Sequence, residues 1–340
     1  MQTLTRIVHA IWFAQSGWAP RLAQLLSPLS GLTAWSAGRA RRAIARLPQA
    51  HPPVVIIGNL LAGGTGKTPL AIASVQSLNA AGLRVGLICS GYGARRSDPR
   101  MVGPGDDPEE HGDEAVLLAI ETGVPVAAGR RRDHALACLL RTAPGLDLVI
   151  ADDGLQHRHL RRTAELMVFD HRGLGNGRLL PAGPLREPLN PIEPLQAVAL
   201  NAAPMPEGVR SRRRFNFHIE AVGVSRPDGT EPLTLDAFSA RAQGQAVCAM
   251  AGIGDPRRFF DVLEGLGIHP TRRLALPDHS PITAAHLRSI AEPLILMTSK
   301  DAVKCVPFAD QRCWVLRVAA RPDPALITWL QDIARGTPTA

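Results

Sequence analysis

Residues 54–69 read VVIIGNLLAGGTGKTP, and the way this run folds decides the architecture of the chain. Val54, Val55, Ile56 and Ile57, closed by Gly58, predict a strand buried on both faces. Gly63, Gly64 and Gly66 predict a flexible turn, and a helix is expected to begin near Thr68. In a strand–turn–helix of this kind, successive backbone N–H groups and the helix N-terminus hold phosphate oxygens. On that reading Gly63, Gly64, Thr65 and Gly66 wrap the phosphates and Lys67 neutralises their β/γ end. The Thr68 hydroxyl would ligate Mg²⁺. The pattern GxxxxGK[ST] is incomplete, because Leu61 stands where its first glycine belongs. A glycine-rich turn without a ligand is the competing reading. Against it stands the scarcity of lysine: the chain has only Lys67, Lys300 and Lys304.

Outward from this run, short β-branched stretches alternate with helical patterns. Strands are expected at 54–58, 85–89, 146–151, 166–170, 197–201, 246–251, 294–298 and 314–318. The alternation predicts an α/β protein with parallel sheets covered by helices on both faces. A Pro- and Arg-rich stretch at 204–232 predicts a linker, with one extended piece near 215–219. The expected organisation is therefore an N-terminal segment (1–50), a P-loop NTPase-like domain with a parallel sheet (51–203), the linker, and a second, smaller α/β domain (233–340).

A second acidic element belongs with the glycine run. LDLVIADDGLQHR (146–158) predicts an apolar strand ending in Asp152 and Asp153, where carboxylates at the sheet edge can hold Mg²⁺ or its water shell. His157 reads equally as a structural histidine or a direct participant. Phosphoryl transfer to an alcohol needs a base near the acceptor. Gly112-Asp113-Glu114, opening an apolar helix, and Asp278-His279 supply candidates. Taken alone, Asp113 also reads as a helix-capping acid and His279 as a loop histidine. A guanine-reading NKxD is absent, since Lys300 directly precedes Asp301.

The net charge of +8 over 340 residues is unevenly placed. No acid precedes Asp98, so the excess is an N-terminal feature and a whole-protein nucleic-acid footprint is not expected. Hydrophobic residues at 45% exclude a disordered, solvating chain. The five cysteines show no CxxC pair, which argues against a disulfide scaffold or structural zinc site and for a reducing compartment. Residues 1–50 hold six arginines, no acid, and Trp12, Trp18 and Trp35. Apolar stripes at helical spacing, interrupted by polar residues, predict a helix lying in a membrane surface rather than spanning it. Core helices or an Arg-rich targeting segment are the alternatives.

The combination GNLLAGGTGKTP, SGYGAR, GDEAVLLA, ADDGLQHR, GLGNGRLLPAGPLREP, PDHSPI and TSKDAVK resembles the tetraacyldisaccharide 4′-kinase family, over about residues 10–318. LLSPLSGL followed by Arg41-Arg42 is similar to that family's membrane-associated start. The resemblance implies transfer of the γ-phosphate of ATP to the 4′-hydroxyl of a lipid A precursor, an acylated disaccharide 1-phosphate. It implies a peripheral enzyme at the cytoplasmic face of a Gram-negative inner membrane, with no obligate protein partner evident. It casts Lys67 and Thr68 as triphosphate and Mg²⁺ ligands, and Asp113 as the base, with His279 as its partner. Asp152, Asp153, Gln156 and His157 would line the metal and phosphate region, with Glu187 joining them and Glu114 beside the base. Tyr92 would sit on a substrate-side loop, its alternative being a turn-packing aromatic. Ser90 and Ser299 depart from the family's usual Arg and Glu, and Arg95 or Arg96 is expected to compensate at the first. Without the resemblance, the residues also fit another P-loop NTPase or ligase acting on a soluble substrate, or a membrane-bound nucleotide-binding scaffold.

Overall fold

In the computed structural model, β1 (Val54–Gly58) is buried along its whole length. Its side chains divide by strand alternation: Val55 and Ile57 face one apolar core, Val54 and Ile56 the other. The structure describes residues 2–14, 17–31, 33–34, 52–157, 159–189 and 194–337. Around β1 lie β2 (Val85–Cys89), β3 (Arg100–Val102), β4 (Val126–Ala128), β5 (Leu148–Asp152), β6 (Ala164–Phe169) and β7 (Leu195–Asn201). The long β8 (Ser211–Ser225) leads to β9 (Val247–Ala251), β10 (Arg272–Ala275), β11 (Leu294–Thr298) and β12 (Cys313–Pro322). All twelve form one sheet, in the order β10-β9-β11-β12-β8-β7-β6-β1-β5-β2-β4-β3. Each of the eight expected strands is present; β3, β4 and β10, three or four residues long, carry too little pattern to be seen in advance.

Two expectations are corrected. The sheet is mixed rather than parallel, because β3–β4 and β8–β12 pair antiparallel. The stretch 204–232, expected as a linker, contains the 15-residue β8. Its first half pairs parallel with β7 and its second half antiparallel with β12, the partners changing at Phe217. The polar reading misled because β8 alternates exposed Arg212, Arg214 and Asn216 with buried Phe215 and Phe217. A strand with one wet face looks like a loop when only its charges are counted.

Helices cover both faces. Lys67–Ala80, Asp113–Thr122 and Pro324–Ala334 share one core with β1 and β5. The last of these follows β12 yet returns to the first half, where Trp329 meets Phe215 with ring centroids 5.6 Å apart. On the opposite face lie Arg132–Thr142 and the 174–189 stretch. In the second half, Leu235–Ala242 and Pro256–Gly265 lie on one face, Ala284–Arg288 and Ser299–Cys305 on the other.

The N-terminal helices Gln2–Phe13 and Ala19–Leu26 are fastened to the 174–189 stretch. Trp12 Nε1 donates to Pro181 O (3.1 Å) and Asn176 Nδ2 to Ile11 O (2.9 Å). Trp18 (54%), Leu25 (76%) and Leu29 (52%) remain exposed. Among the described residues no helix is long and apolar enough to cross a membrane. Trp35 and Arg41-Arg42 of the expected membrane-associating segment lie outside the described residues.

Candidate active site

The site is assembled at the carboxyl edge of the sheet, where β1 and β5 end side by side, Ile57 pairing with Asp152. Beyond β1, Leu61 bridges to Leu185, and Arg186 N–H donates to Leu60 O (2.7 Å). The LLPAGPLREP block thus straps the start of the glycine loop. Gly66 caps the helix Lys67–Ala80 in the left-handed conformation, φ +95°. A Cβ there would stand 2.7 Å from Asn201 Nδ2 and 2.9 Å from Ile219 Cδ1, so glycine is demanded by both backbone and space. Asn201 Nδ2 donates to Thr65 O (3.1 Å) and Asn59 Nδ2 to Gly63 O (3.2 Å). Both amides brace the loop, one from just past β1 and the other from the end of β7.

Lys67 is buried and donates to Asn59 Oδ1 (3.1 Å), with Asp153 Oδ2 at 3.7 Å. Thr68 Oγ1 donates to Asp152 Oδ2 (2.9 Å). The two aspartates differ in kind. Burial opposes ionisation of Asp153, but Lys67 and Arg186, the latter at 3.1 Å, outweigh it and hold the carboxyl below its ordinary range. Burial pushes Asp152 up to about 7, helped by the Glu114 carboxylate. Arg132, almost fully buried, donates to Asp152 O and Asp153 O (3.3 Å each) and so secures the strand end from behind.

Thr65 Oγ1 and Asp152 Oδ1, at this edge, are buried and have no hydrogen-bond partner. Such atoms are costly unless something binds them, which is what a phosphate oxygen and a cation would do. Asp152, Thr68 and Asp153 thus fit a hard divalent cation. No group of three or more His, Cys, Asp or Glu able to hold a metal alone occurs among the described residues. Mg²⁺ needs none when nucleotide oxygens and water complete its shell. Gln156 lies alongside, its amide 3.5 Å from Asn59 O. His157, pushed down to about 4 by burial and by Arg132, is neutral at physiological pH. Glu187 is buried in the strap.

Asp113 and His279, 166 positions apart, meet at 3.1 Å (Oδ1 to Nδ1). Gly112 (φ +96°) turns the chain into the helix Asp113–Thr122 against Gly91, where a Cβ would collide at 2.9 Å. Burial opposes the charge on Asp113, but the bond from His279 and the nearby Lys300 outweigh it and hold its carboxyl low. Burial likewise opposes His279 protonation, and the Asp113 bond outweighs it. Tyr92 is 65% exposed and stands edge-on to the His279 ring, centroids 4.7 Å apart. Ser90 Oγ accepts from Tyr92 N–H (3.0 Å). Arg95 and Arg96, expected to compensate at Ser90, pair with Glu109 and Asp98. Gly254 joins the two regions: a Cβ there would lie 3.5 Å from Asp278 Oδ2 and 3.9 Å from Gly64 N.

Several residues here escaped the sequence reading. Arg172 and Arg258 both donate to Gly64 O (2.5 and 3.3 Å) and share Asp170. In an arginine-rich chain their residue type carries no signal. Lys300 and Lys304 did carry one, their rarity, but no partner could be named.

Fold and site together define a class: α/β proteins in which a glycine loop, an acidic strand end and an Asp–His pair share one sheet edge, groups of the kinds that bind phosphate and move a proton. Residues 22–335 match the family model for tetraacyldisaccharide-1-P 4′-kinase, and the chain belongs to that family. Among relatives named tetraacyldisaccharide 4′-kinase, that of Bordetella petrii is 42% identical over 337 residues, 94% of each chain. That of Pseudomonas paraeruginosa is 44% identical over 317 residues, covering 91% of this chain and 92% of its own. The crystal structure of LpxK from Aquifex aeolicus in complex with ATP superposes with a TM-score of 0.75 at 26% identity, covering 92% of this chain and 99% of that one.

Proposed function

We propose that this chain is an ATP-dependent kinase that phosphorylates the 4′-hydroxyl of a tetraacyldisaccharide 1-phosphate in lipid A biosynthesis. The observation that carries the reading is the meeting, at one sheet edge, of the braced glycine loop with an Asp–His pair drawn from both halves of the sheet. The loop N–H groups and Thr65 hold phosphate oxygens. Lys67 leaves Asn59 and Asp153 for the β/γ-phosphates. Asp152 and Thr68, with Asp153 and Gln156 beside them, are the residues that would hold Mg²⁺, whose charge would offset that of the triphosphate. Asp113 takes the proton of the acceptor hydroxyl as its oxygen bonds to the γ-phosphorus. The bond from that phosphorus to the β–γ bridging oxygen breaks, and ADP leaves with the electron pair.

The acceptor carries acyl chains, so the enzyme works at a bilayer surface. The exposed Trp18, Leu25 and Leu29, in an acid-free and arginine-rich segment, suit a helix pair resting among anionic headgroups. We place the protein peripherally at the cytoplasmic face of the inner membrane, where ATP is supplied. The test is incubation with ATP, Mg²⁺ and tetraacyldisaccharide 1-phosphate in detergent. Phosphate appearing at the 4′-position is expected; ATP hydrolysis without a phosphorylated disaccharide would overturn the assignment.

A further inference from the structure

Lys300, one of three lysines in the chain, has no role in the reaction derived above, yet it stands in contact with the Asp–His pair. Its Nζ lies 3.1 Å from each of three acceptors: Glu114 Oε1, Asp278 Oδ1 and His279 Nε2. The contacts span the molecule. Lys300 is on the helix Ser299–Cys305 after β11 and Glu114 on the helix Asp113–Thr122 of the first half, while Asp278 and His279 belong to a loop of the second. An ammonium offers three donors and no acceptor. Three contacts therefore use all it has, and Nε2 can only accept. A neutral imidazole carries its proton on the other nitrogen, Nδ1, which faces Asp113 Oδ1 at 3.1 Å. That oxygen also accepts from Glu114 N–H (2.8 Å), which leaves Oδ2 with hydrogen-bonding capacity for an acceptor hydroxyl.

We propose that Lys300 is a positioning residue for the reaction: by donating to Nε2 it fixes the His279 proton on Nδ1, and so holds Asp113 in place as an ionised base. The inference rests on the reading of Asp113 as the base. The charged groups around His279 come from every element against it. Asp113 approaches from the helix Asp113–Thr122, with Lys304 Nζ 3.9 Å beyond it. Asp278, on the same loop, lies 3.7 Å from Nε2, and the Tyr92 ring closes the exposed side. Of the groups touching the imidazole, Lys300 is the one that disfavours an imidazolium; both aspartates favour it.

Replacing Lys300 by methionine keeps the length and removes the cation. His279 then protonates more readily, and an imidazolium bonded to Asp113 weakens it as a base. The acid limb of the kcat profile should therefore move to higher pH. The loss should be about tenfold or more at pH 6 and smaller at pH 8, with KM for ATP within about twofold of wild type. A purely structural lysine would lower kcat equally at all pH values, and that result overturns the proposal. Should Lys300→Met not fold, the wild-type protein decides: ¹⁵N-histidine NMR, assigned with His279→Gln, is expected to show His279 as the Nδ1–H tautomer. An Nε2–H tautomer overturns the proposal. Asp113→Asn is measured alongside. If it retains kcat, the reading of the base has failed; if it loses kcat while His279 is Nε2–H, only the role of Lys300 has failed.

Discussion

Replacing Asp152 by asparagine tests whether the acidic strand end is built to receive a cation. In the protein without nucleotide or metal, burial first, and then the Glu114 and Asp153 carboxylates, raise this group from its usual 3.8 to about 7, against the pull of Lys67 and Thr68. A carboxyl raised on folding lowers stability as it ionises. Below about pH 4 it is protonated in both states and has no effect. Between 4 and 7 the unfolded chain loses its proton first, so stability falls with rising pH. Above 7 the loss is complete, at about 4 kcal/mol. Asparagine keeps an oxygen for Thr68 and cannot ionise, so its own offset does not change with pH. The stability difference between Asp152→Asn and wild type should shift in favour of the variant by about 3 kcal/mol from pH 5 to pH 8, or roughly 5–10 °C in Tm. Thermal melts of both proteins at the two pH values measure it. Adding Mg²⁺ with a non-hydrolysable ATP analogue at pH 8 should raise the wild-type Tm and leave the variant far less changed. Parallel pH profiles for the two proteins would refute the argument.

Gly66→Ala places a methyl group against Asn201 and Ile219 on a backbone at φ +95°, strain of about 1–2 kcal/mol before the Asn201–Thr65 bond is disturbed. ATP affinity by calorimetry should fall at least tenfold, and an unchanged Kd would show that the loop does not hold the phosphates. Asp113→Asn should reduce kcat by about 10²–10⁴ while KM for ATP stays near wild type; a loss below tenfold would remove Asp113 as the base. Trp18→Ser combined with Leu25→Ser should weaken co-sedimentation with anionic vesicles by more than about tenfold, since each side chain contributes about 1.5–3 kcal/mol when buried in an apolar phase. Unaltered sedimentation would place the membrane contact elsewhere.

Much of the fold was legible because the relevant physics is local. The runs at 54–58, 85–89 and 294–298 are uninterrupted and apolar, and each forms a fully or almost fully buried strand at those bounds. The turn between β1 and the helix Lys67–Ala80 was legible through its three glycines, and the acidic strand end through the abrupt change from Ala151 to Asp152. β8 was not, because alternating charge on one face hides a strand whose identity comes from pairing with β7 and β12. The sequence also made Asp152 and Asp153 look equivalent. They separate only once Arg186 joins Lys67 at Asp153, while burial and the Glu114 carboxylate prevail at Asp152.

By itself, then, the order of residues determined what depends on neighbours in the chain: strand runs, the turn that glycine permits, the helix starts, and the residue types able to handle phosphate and protons. The tertiary structure alone decided which groups meet. Asp113 touches His279 across 166 positions, Lys300 ties Glu114 to Asp278, and Arg258 of the second half reaches the carbonyl of Gly64. Distances between side chains are set by how helices and strands stack, and stacking is the sum of many weak contacts that no local pattern records.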